Sequence, residues 1–165
     1  LRIIGDADPR FTPDLSVAVP TTPELQAVNE RLARAALVAP TPDLALVHDP
    51  ALGGAVAREV PLVVAGHTHR RSTEMTGKNG LLFVQGSTGG AGLRALESSP
   101  PTPIECSVLY FDRSTRRLEA WDDVTLGGLG ATSAGIARHL ATEPTPAPSP
   151  TSTVSPEVTG TVASP

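Results

Sequence analysis

Three of the four histidines follow short apolar runs. His67 and His69 stand in the tetrapeptide Gly-His-Thr-His at 66–69, directly after the apolar run 61–65, and His48 directly follows the apolar run 44–47. Neutral imidazole is the commonest side-chain ligand of transition metals. Two histidines one residue apart, on the turn that leaves a buried strand, therefore suit a metal site. The alternative is that each histidine is only a polar residue in a connecting loop.

The elements that would bring these histidines together follow from the same runs. The apolar runs predict strands at 43–47 and 61–65, and the segment 51–58 between them predicts a short helix. Strand, helix and strand over so few residues form a βαβ unit with parallel, neighbouring strands. The residues that follow the two strands then leave the sheet side by side at its carboxyl edge, where open α/β sheets bind ligands. Because the topology brings the histidines together, a metal site is favoured over three unrelated loop residues.

The rest of the sequence divides into further elements. The pattern predicts a strand at 1–5, a helix capped by Thr22 that ends before Pro40, a strand at 81–85, and a hairpin formed by 104–111 and 117–124. Residues 127–140 are interpreted as a transition segment, with no role for His139. Residues 141–165 are rich in Pro, Thr and Ser and hold almost no large apolar side chain. Such a segment buries too little surface to offset its ordering entropy, so we expect a disordered tail.

The histidine pattern resembles that of a known family. Gly-His-x-His after a buried strand, with another His at the end of the preceding strand, looks like the last two motifs of the calcineurin-like metallophosphoesterases. The segment 5–14, Gly-Asp-Ala-Asp-Pro-Arg-Phe-Thr-Pro-Asp, resembles the stretch that follows Asn-His-Glu/Asp in some bacterial members. Ser-Thr-Gly-Gly-Ala-Gly at 87–92 resembles their glycine-rich stretch. The resemblance implies an α/β fold in which residues 1–126 form part of a two-sheet sandwich flanked by helices.

The resemblance also implies an activity. Members of this family are metal-dependent phosphoester hydrolases, in which two divalent ions hold and activate a water molecule against a phosphoester substrate. His48 and His67 would bind one ion and His69 the other, and the ions would be Mn, Fe or Zn. Because paired ions lie about 3.5–4 Å apart, we expect the ring nitrogens of the three histidines within about 7 Å of one another.

Several motifs of that family are missing from the sequence. Asp-x-His, the Gly-Asp with its bridging Asp, and Asn-His-Glu/Asp are absent, and Gly5-Asp6 is not the Gly-Asp motif because no Asn-His follows it. We therefore expect the chain to be the C-terminal half of a longer protein. The catalytic residues would lie in the missing half, and the chain alone would be inactive or nearly so. A non-catalytic interaction module or a degenerate pseudo-phosphoesterase is the alternative, which the upstream sequence would distinguish.

The sequence leaves two possible roles open for several polar residues near the histidines. Asp49 either orients a ligand imidazole or caps the helix that begins near Ala51, and the cap is favoured. Arg70 and Arg71 either contact a substrate phosphate or are solvated arginines at the edge of the sheet. The glycines at 86, 89, 90 and 92 either let backbone N–H groups approach an anion or serve only a turn. Cys106, in an apolar run, is expected to be a small buried residue rather than a reactive thiol.

Composition restricts the partners and the location. The net charge of −4 and the aromatic content of 3% argue against a nucleic-acid-binding surface. No apolar stretch approaches the roughly 20 residues that a membrane span needs, so we expect no transmembrane segment in this chain. The Pro/Thr/Ser-rich tail, together with the membrane anchors of relatives that share Asp-Pro-Arg-Phe-Thr, favours an extracytoplasmic domain anchored through the missing N-terminal region. A cytoplasmic location is the alternative.

Overall fold

The structure is a computed structural model that describes residues 1–10, 16, 18, 20–77, 80–89, 102–127 and 132–141. Within these ranges the fold is mixed α/β, with two sheets and one α-helix. The helix α1 spans Thr22–Ala36. The strands in chain order are β1 Ile3–Gly5, β2 Leu44–Leu46, β3 Leu62–Ala65, β4 Ser72–Thr76, β5 Gly80–Val84, β6 Ile104–Phe111, β7 Leu118–Leu126 and β8 Ala134–Leu140.

The first sheet has the strand order β1-β2-β3-β5-β4. Strands β1, β2, β3 and β5 run parallel, and β4 pairs antiparallel with β5 at the edge. The central strands are apolar, as expected where both faces of a sheet are covered. In the β2–β3 pair, Ala45 lies opposite Val63 and Leu46 opposite Val64. The predicted parallel pairing of these two strands is therefore confirmed.

The crossover between β2 and β3 differs from the prediction. The helix expected at 51–58 is wrong: two separate 3₁₀ helices, Pro50–Leu52 and Val56–Arg58, stand in its place. Gly53 and Gly54 lie between them, and glycine is unfavourable inside a helix. A Cβ atom at Gly53 would lie 3.1 Å from a methyl carbon of Val63. Glycine thus lets the crossover pack closely on the sheet at the cost of a regular helix.

Helix α1 covers one face of this sheet. It begins one residue earlier than expected, since the N-cap is Thr21 and not Thr22. The backbone N–H of Thr21 donates to Glu24 Oε2 over 2.6 Å, which is half of a capping box. The helix buries Leu32 and Ala36 against residues of the sheet and the crossover, as its apolar spacing predicts. These partners are Ala45, Val56, Ala57, Val60 and Val63.

The second sheet packs on the opposite face of the first. It has the order β6-β7-β8 and is antiparallel throughout. The predicted hairpin of β6 and β7 is confirmed, although β7 continues to Leu126. Trp121 from this sheet packs with Leu44, Leu62 and Phe83 from the first. The described residues therefore form three layers in the order helix, sheet, sheet.

Two strands and one cysteine differ from the sequence interpretation. Strand β4 was not expected, and β8 lies within 127–140, which the sequence indicated only as a transition segment. Cys106 was expected to be buried and is exposed, because it faces outward on β6 in alternation with residues that face the core. Of the expected disordered tail, 141–165, Ala141 is described and its backbone N–H donates to Glu119 O over 2.8 Å, whereas residues 142–165 lie outside the described residues. Among those that are described, no helix combines the length and hydrophobicity that a membrane span requires.

Substitution of Phe83 tests whether the two sheets share one core. Its side chain is fully buried and contacts Trp121 edge-on, with ring centroids 5.8 Å apart. Phe83→Ala should lower the free energy of unfolding by about 3–5 kcal/mol, because truncation of a buried aromatic leaves a cavity. Urea denaturation measures this change, and Met75→Ala, at an exposed position of β4, is the control and should cost much less. Equal, small effects of both variants would contradict the packing of the sheets.

Candidate metal site

The carboxyl edge of the first sheet gathers polar side chains from three loops. Asp8 follows β1, His48 and Asp49 follow β2, and His67 follows β3. The pairing between β2 and β3 continues into these loops, since Gly66 N donates to His48 O over 3.0 Å. The two histidine-bearing loops are therefore fixed to each other by backbone hydrogen bonds, and their side chains leave the sheet together.

The two histidine rings are in direct contact. His48 Nε2 lies 3.0 Å from His67 Nδ1, and the rings meet edge to face with centroids 4.9 Å apart. Two nitrogens at this separation subtend an angle of about 90° at an ion about 2.05 Å from each, which is a usual Zn–N distance. The two nitrogens are at hydrogen-bond distance, and the same separation is also compatible with one ion bound through His48 Nε2 and His67 Nδ1. The convergence of His48 and His67 agrees with the topology expected from the sequence.

The turn that carries His67 and His69 has an uncommon backbone. Their φ angles are +66° and +57°, in the left-handed region that residues other than glycine rarely adopt. The turn is tight, because Thr68 N donates to Gly66 O over 2.7 Å. Such backbone conformations cost free energy and concentrate at functional sites. The conformation therefore favours a functional role for this turn.

Among the described residues, the histidine pair lacks the further side chains that would complete a metal site. Within the described ranges, no three His, Cys, Asp or Glu residues are grouped as a metal ion would require. His69 is exposed, and its assignment to a second ion stays a prediction. The described residues thus contain the beginning of a ligand set and not a complete one.

Asp49 is a cap, the role that the sequence favoured, and its part in orienting a ligand imidazole stays a prediction. It is the N-cap of the 3₁₀ helix Pro50–Leu52, and its Oδ1 accepts a hydrogen bond from Ala51 N over 2.9 Å. Its Oδ2 lies 3.8 Å from His67 Nε2. Burial acts to raise the pKa of this carboxyl, but the hydrogen bonds from Ala51 and Arg10 outweigh burial and hold the pKa below its usual value. Asp49 is therefore a carboxylate both at the cap and beside the imidazole.

Arg10 and Asp8 are the site residues that sequence reasoning missed. Arg10 Nη2 lies 2.6 Å from Asp8 Oδ2 and 2.6 Å from Asp49 Oδ2. Hydrogen bonds from Arg10 hold the pKa of Asp8 below its usual value, and both carboxylates raise the pKa of Arg10. The signal was present as Asp-Pro-Arg at 8–10, shortly after β1, but no sequence rule indicates that this arginine pairs with Asp49.

The two arginines after the histidines separate into different roles. Arg71 is mostly buried: its Nε donates to Asp123 Oδ1 over 2.7 Å, and its guanidinium carbon lies 3.7 Å from the ring centroid of Phe83. It is a structural residue between the sheets and not a solvated one. Arg70 is exposed, and its contact with a substrate phosphate stays a prediction. Gly86 and Gly89 are described, whereas Gly90 and Gly92 lie outside the described residues.

Comparison of the chain with models of known protein families and with curated proteins finds no match. Two converging imidazoles can supply two ligands to a divalent transition metal ion, and a carboxylate next to a ligand imidazole is a common partner in such sites.

The Asp8–Arg10 pair predicts a pH dependence of stability. The pKa of Asp8 is lower in the folded chain than in the unfolded chain, where it is about 3.9. The pair therefore stabilises the fold fully above that value, and its contribution is lost as the pH falls through the lower, folded pKa. Asp8→Asn should be destabilised relative to wild type at pH 7, and the difference should shrink below about pH 4. Denaturation curves between pH 7 and pH 2 measure it, and a difference that stays constant would contradict the ion pair.

A matched pair of variants distinguishes the two arginines. Arg71→Ala removes a cation that packs on Phe83 and pairs with Asp123, and should destabilise the chain by about 1–3 kcal/mol, since a largely buried carboxylate loses a partner. Arg70→Ala, one residue earlier and exposed, should change stability by less than about 0.5 kcal/mol. Chemical denaturation measures both, and a larger effect at Arg70 would contradict the assigned roles.

Proposed function

We propose that the chain belongs to a metal-dependent phosphoester hydrolase with a dinuclear site. The observation that carries the proposal is the contact between His48 Nε2 and His67 Nδ1 at the carboxyl ends of two adjacent parallel strands. The left-handed backbone at His67 and His69 supports it further. The two packed sheets with a helix on one face are compatible with the metallophosphoesterase-like sandwich that the proposal implies.

The residues of this chain have distinct roles in the proposal. His48 and His67 hold one ion, through the two nitrogens that face each other, and His69 contributes to the other. When bound, the ions supply Lewis acidity and lower the pKa of a coordinated water. The exposed Arg70, three residues after His67, is available to contact a phosphate of the substrate through its planar guanidinium. Arg10 has no such role, because its guanidinium is engaged by Asp8 and Asp49.

A dinuclear site also needs a bridging carboxylate. The described residues hold no group of three side chains placed to bind a metal ion, and in the proposal the remaining ligands therefore come from other segments of the intact protein. Metal binding by the 165-residue chain should consequently be weaker than binding by a complete site. The native metals are Mn, Fe or Zn, since histidine with carboxylate discriminates weakly among them.

A non-catalytic interaction module is the second candidate function. It is favoured by the outer face of the β6-β7-β8 sheet, where large apolar side chains are exposed: Val108, Tyr110, Leu126, Ile136 and Leu140. An apolar sheet face of this kind is typical of a surface covered by another segment or protein. The same face is also compatible with a hydrolase, so the activity assay decides between the two functions.

The histidine turn gives the sharpest test of the proposal. In the intact protein, His67→Gly should lower the metal-dependent hydrolysis of a generic phosphodiester by about 100-fold or more, because a lost ligand misplaces the attacking water. Glycine is chosen because it adopts the left-handed backbone of His67 without strain. Activity is measured with added manganese, then with zinc and iron.

Thr68→Ala is the matched control on the same turn. Thr68 makes only weak side-chain hydrogen bonds with the backbone of Arg70, so this variant should retain activity within a few-fold of wild type. Hydrolysis that survives His67→Gly would overturn the assignment of the site. No hydrolysis by the wild-type protein with any of the metals would favour the interaction module.

A further inference from the structure

We propose that a cavity at the amino-terminal edge of the first sheet binds a small anion of the phosphate type through the guanidinium groups of Arg58 and Arg117. The cavity has a volume of about 200 Å³. Its residues precede the parallel strands that His48 and His67 follow, so it lies at the opposite edge of the sheet from the histidines. This site and the proposed hydrolase function are therefore independent of each other.

Several segments that lead into strands enclose the cavity. Thr41 precedes β2, Pro61 precedes β3, Gly80 begins β5 and Arg117 precedes β7. The crossover before β3 adds residues from the 3₁₀ helix Val56–Arg58. Both sheets and the crossover thus contribute to one concave surface, which is the usual setting of a small-molecule site.

The floor of the cavity is buried and depends on a glycine. Ala57, Val60 and Gly80 are buried. A Cβ atom at Gly80 would lie 2.7 Å from Ala57 O, closer than Cβ atoms come to other atoms in folded proteins. Glycine therefore lets β5 begin directly against the crossover. Charges at the rim of such a floor are screened less by water than charges on a flat surface.

The rim carries two arginines that have no carboxylate partner among the described residues. The ion pairs within the described ranges use other arginines, and neither Arg58 nor Arg117 takes part in them. Both are exposed. Among the described lining residues Glu59 is the only acid, so this lining is net positive in a chain whose net charge is −4. Guanidinium groups at one cavity match the oxygens of a phosphate-type anion.

Arg117 is held at the cavity by the residue before it. Arg116 Nε donates to Asp43 Oδ1 over 3.0 Å, which fixes the hairpin turn between β6 and β7 to the amino-terminal end of β2. The other oxygen of Asp43 accepts the backbone N–H of Arg2 over 2.6 Å. One arginine of the adjacent pair therefore anchors the turn, and the other remains available to a ligand.

The volume of the cavity limits the ligand to a small anion. Pockets for drug-sized ligands measure about 300–1,000 Å³, and this cavity is smaller. Besides the charged groups, its rim offers the hydroxyl of Thr41. Inorganic phosphate and the phosphate group of a small phosphomonoester present the same oxygens to such a rim, and the experiment compares the two.

Anion binding to the full 165-residue chain provides the measurement. The chain is cleared of metal by chelation and desalting, and ¹H–¹⁵N NMR spectra are recorded during titration with inorganic phosphate or with glycerol phosphate at constant ionic strength. The amide signals of Arg58, Val60 and Gly80 should shift saturably, with an affinity in the millimolar range, as expected for two contacts open to water. The signals of the histidine turn at 66–69 should not move. The tighter of the two ligands identifies the source of the phosphate group.

Three variants test the charges at the rim. Arg58→Gln and Arg117→Gln should each weaken binding about 3- to 10-fold, because each removes one charge-assisted contact. Glu59→Gln should strengthen binding about two- to five-fold, because it removes a charge of the same sign as the ligand. Melting temperatures should stay close to that of wild type, since all three side chains are exposed.

Arg113→Gln is the matched control. Arg113 is an exposed arginine of the same hairpin turn that is not among the residues lining the cavity, and its replacement removes the same charge from the chain. Phosphate affinity should stay within about two-fold of wild type, as expected for a distant surface charge. An equal loss of affinity in Arg113→Gln, weaker binding in Glu59→Gln, shifts confined to the histidine turn, or no saturable shift in wild type would overturn the proposal.

Discussion

The parallel pairing of β2 and β3 is the constraint on which the candidate site depends. Each of these strands is only three or four residues long, yet their hydrogen bonding continues past their ends, where Gly66 N donates to His48 O. A slip of one residue would turn the buried side chains of one strand to its other face. It would also separate the two imidazoles. The buried side chains of Ala45 and Val63 therefore determine the geometry of the two histidines, although neither is polar.

Much of this arrangement could be predicted from the sequence because it depends on local patterns. Apolar runs separated by a short segment with a helical pattern predict parallel neighbours, and the residues that follow such strands must meet at one edge. The crossover was harder to predict: its apolar pattern indicated a helix, but two adjacent glycines and the close contact with Val63 produced two 3₁₀ helices instead. Strand β8 could not be predicted because its residues are exposed and carry no alternation. Its structure comes from pairing with β7.

The site residues also divide into those that the sequence could predict and those that it could not. His48 and His67 could be identified because residue type and strand position coincide. Arg10 could not, since its position depends on an ion pair across 39 residues of sequence. Arg71 was expected at a solvated edge or on a substrate phosphate, and it instead lies between the sheets, where it pairs with Asp123 and packs on Phe83. The positions of charged side chains depend on partners that are distant in the sequence. Sequence patterns therefore predict strands better than ion pairs.

Asp123 illustrates how much the second sheet contributes to the edge that carries the histidines. Its carboxylate accepts hydrogen bonds from Arg71, Ser107 and Trp121, and lies 3.3 Å from His139 Nε2. Burial acts to raise its pKa, but these hydrogen bonds and the positive charge of Arg71 outweigh burial and keep the pKa low. Since Arg71 begins the segment that leaves the histidine turn, the ion pair anchors that turn to β7. The left-handed backbone of the turn is thus held between two fixed points, the strand β3 before it and Arg71 after it.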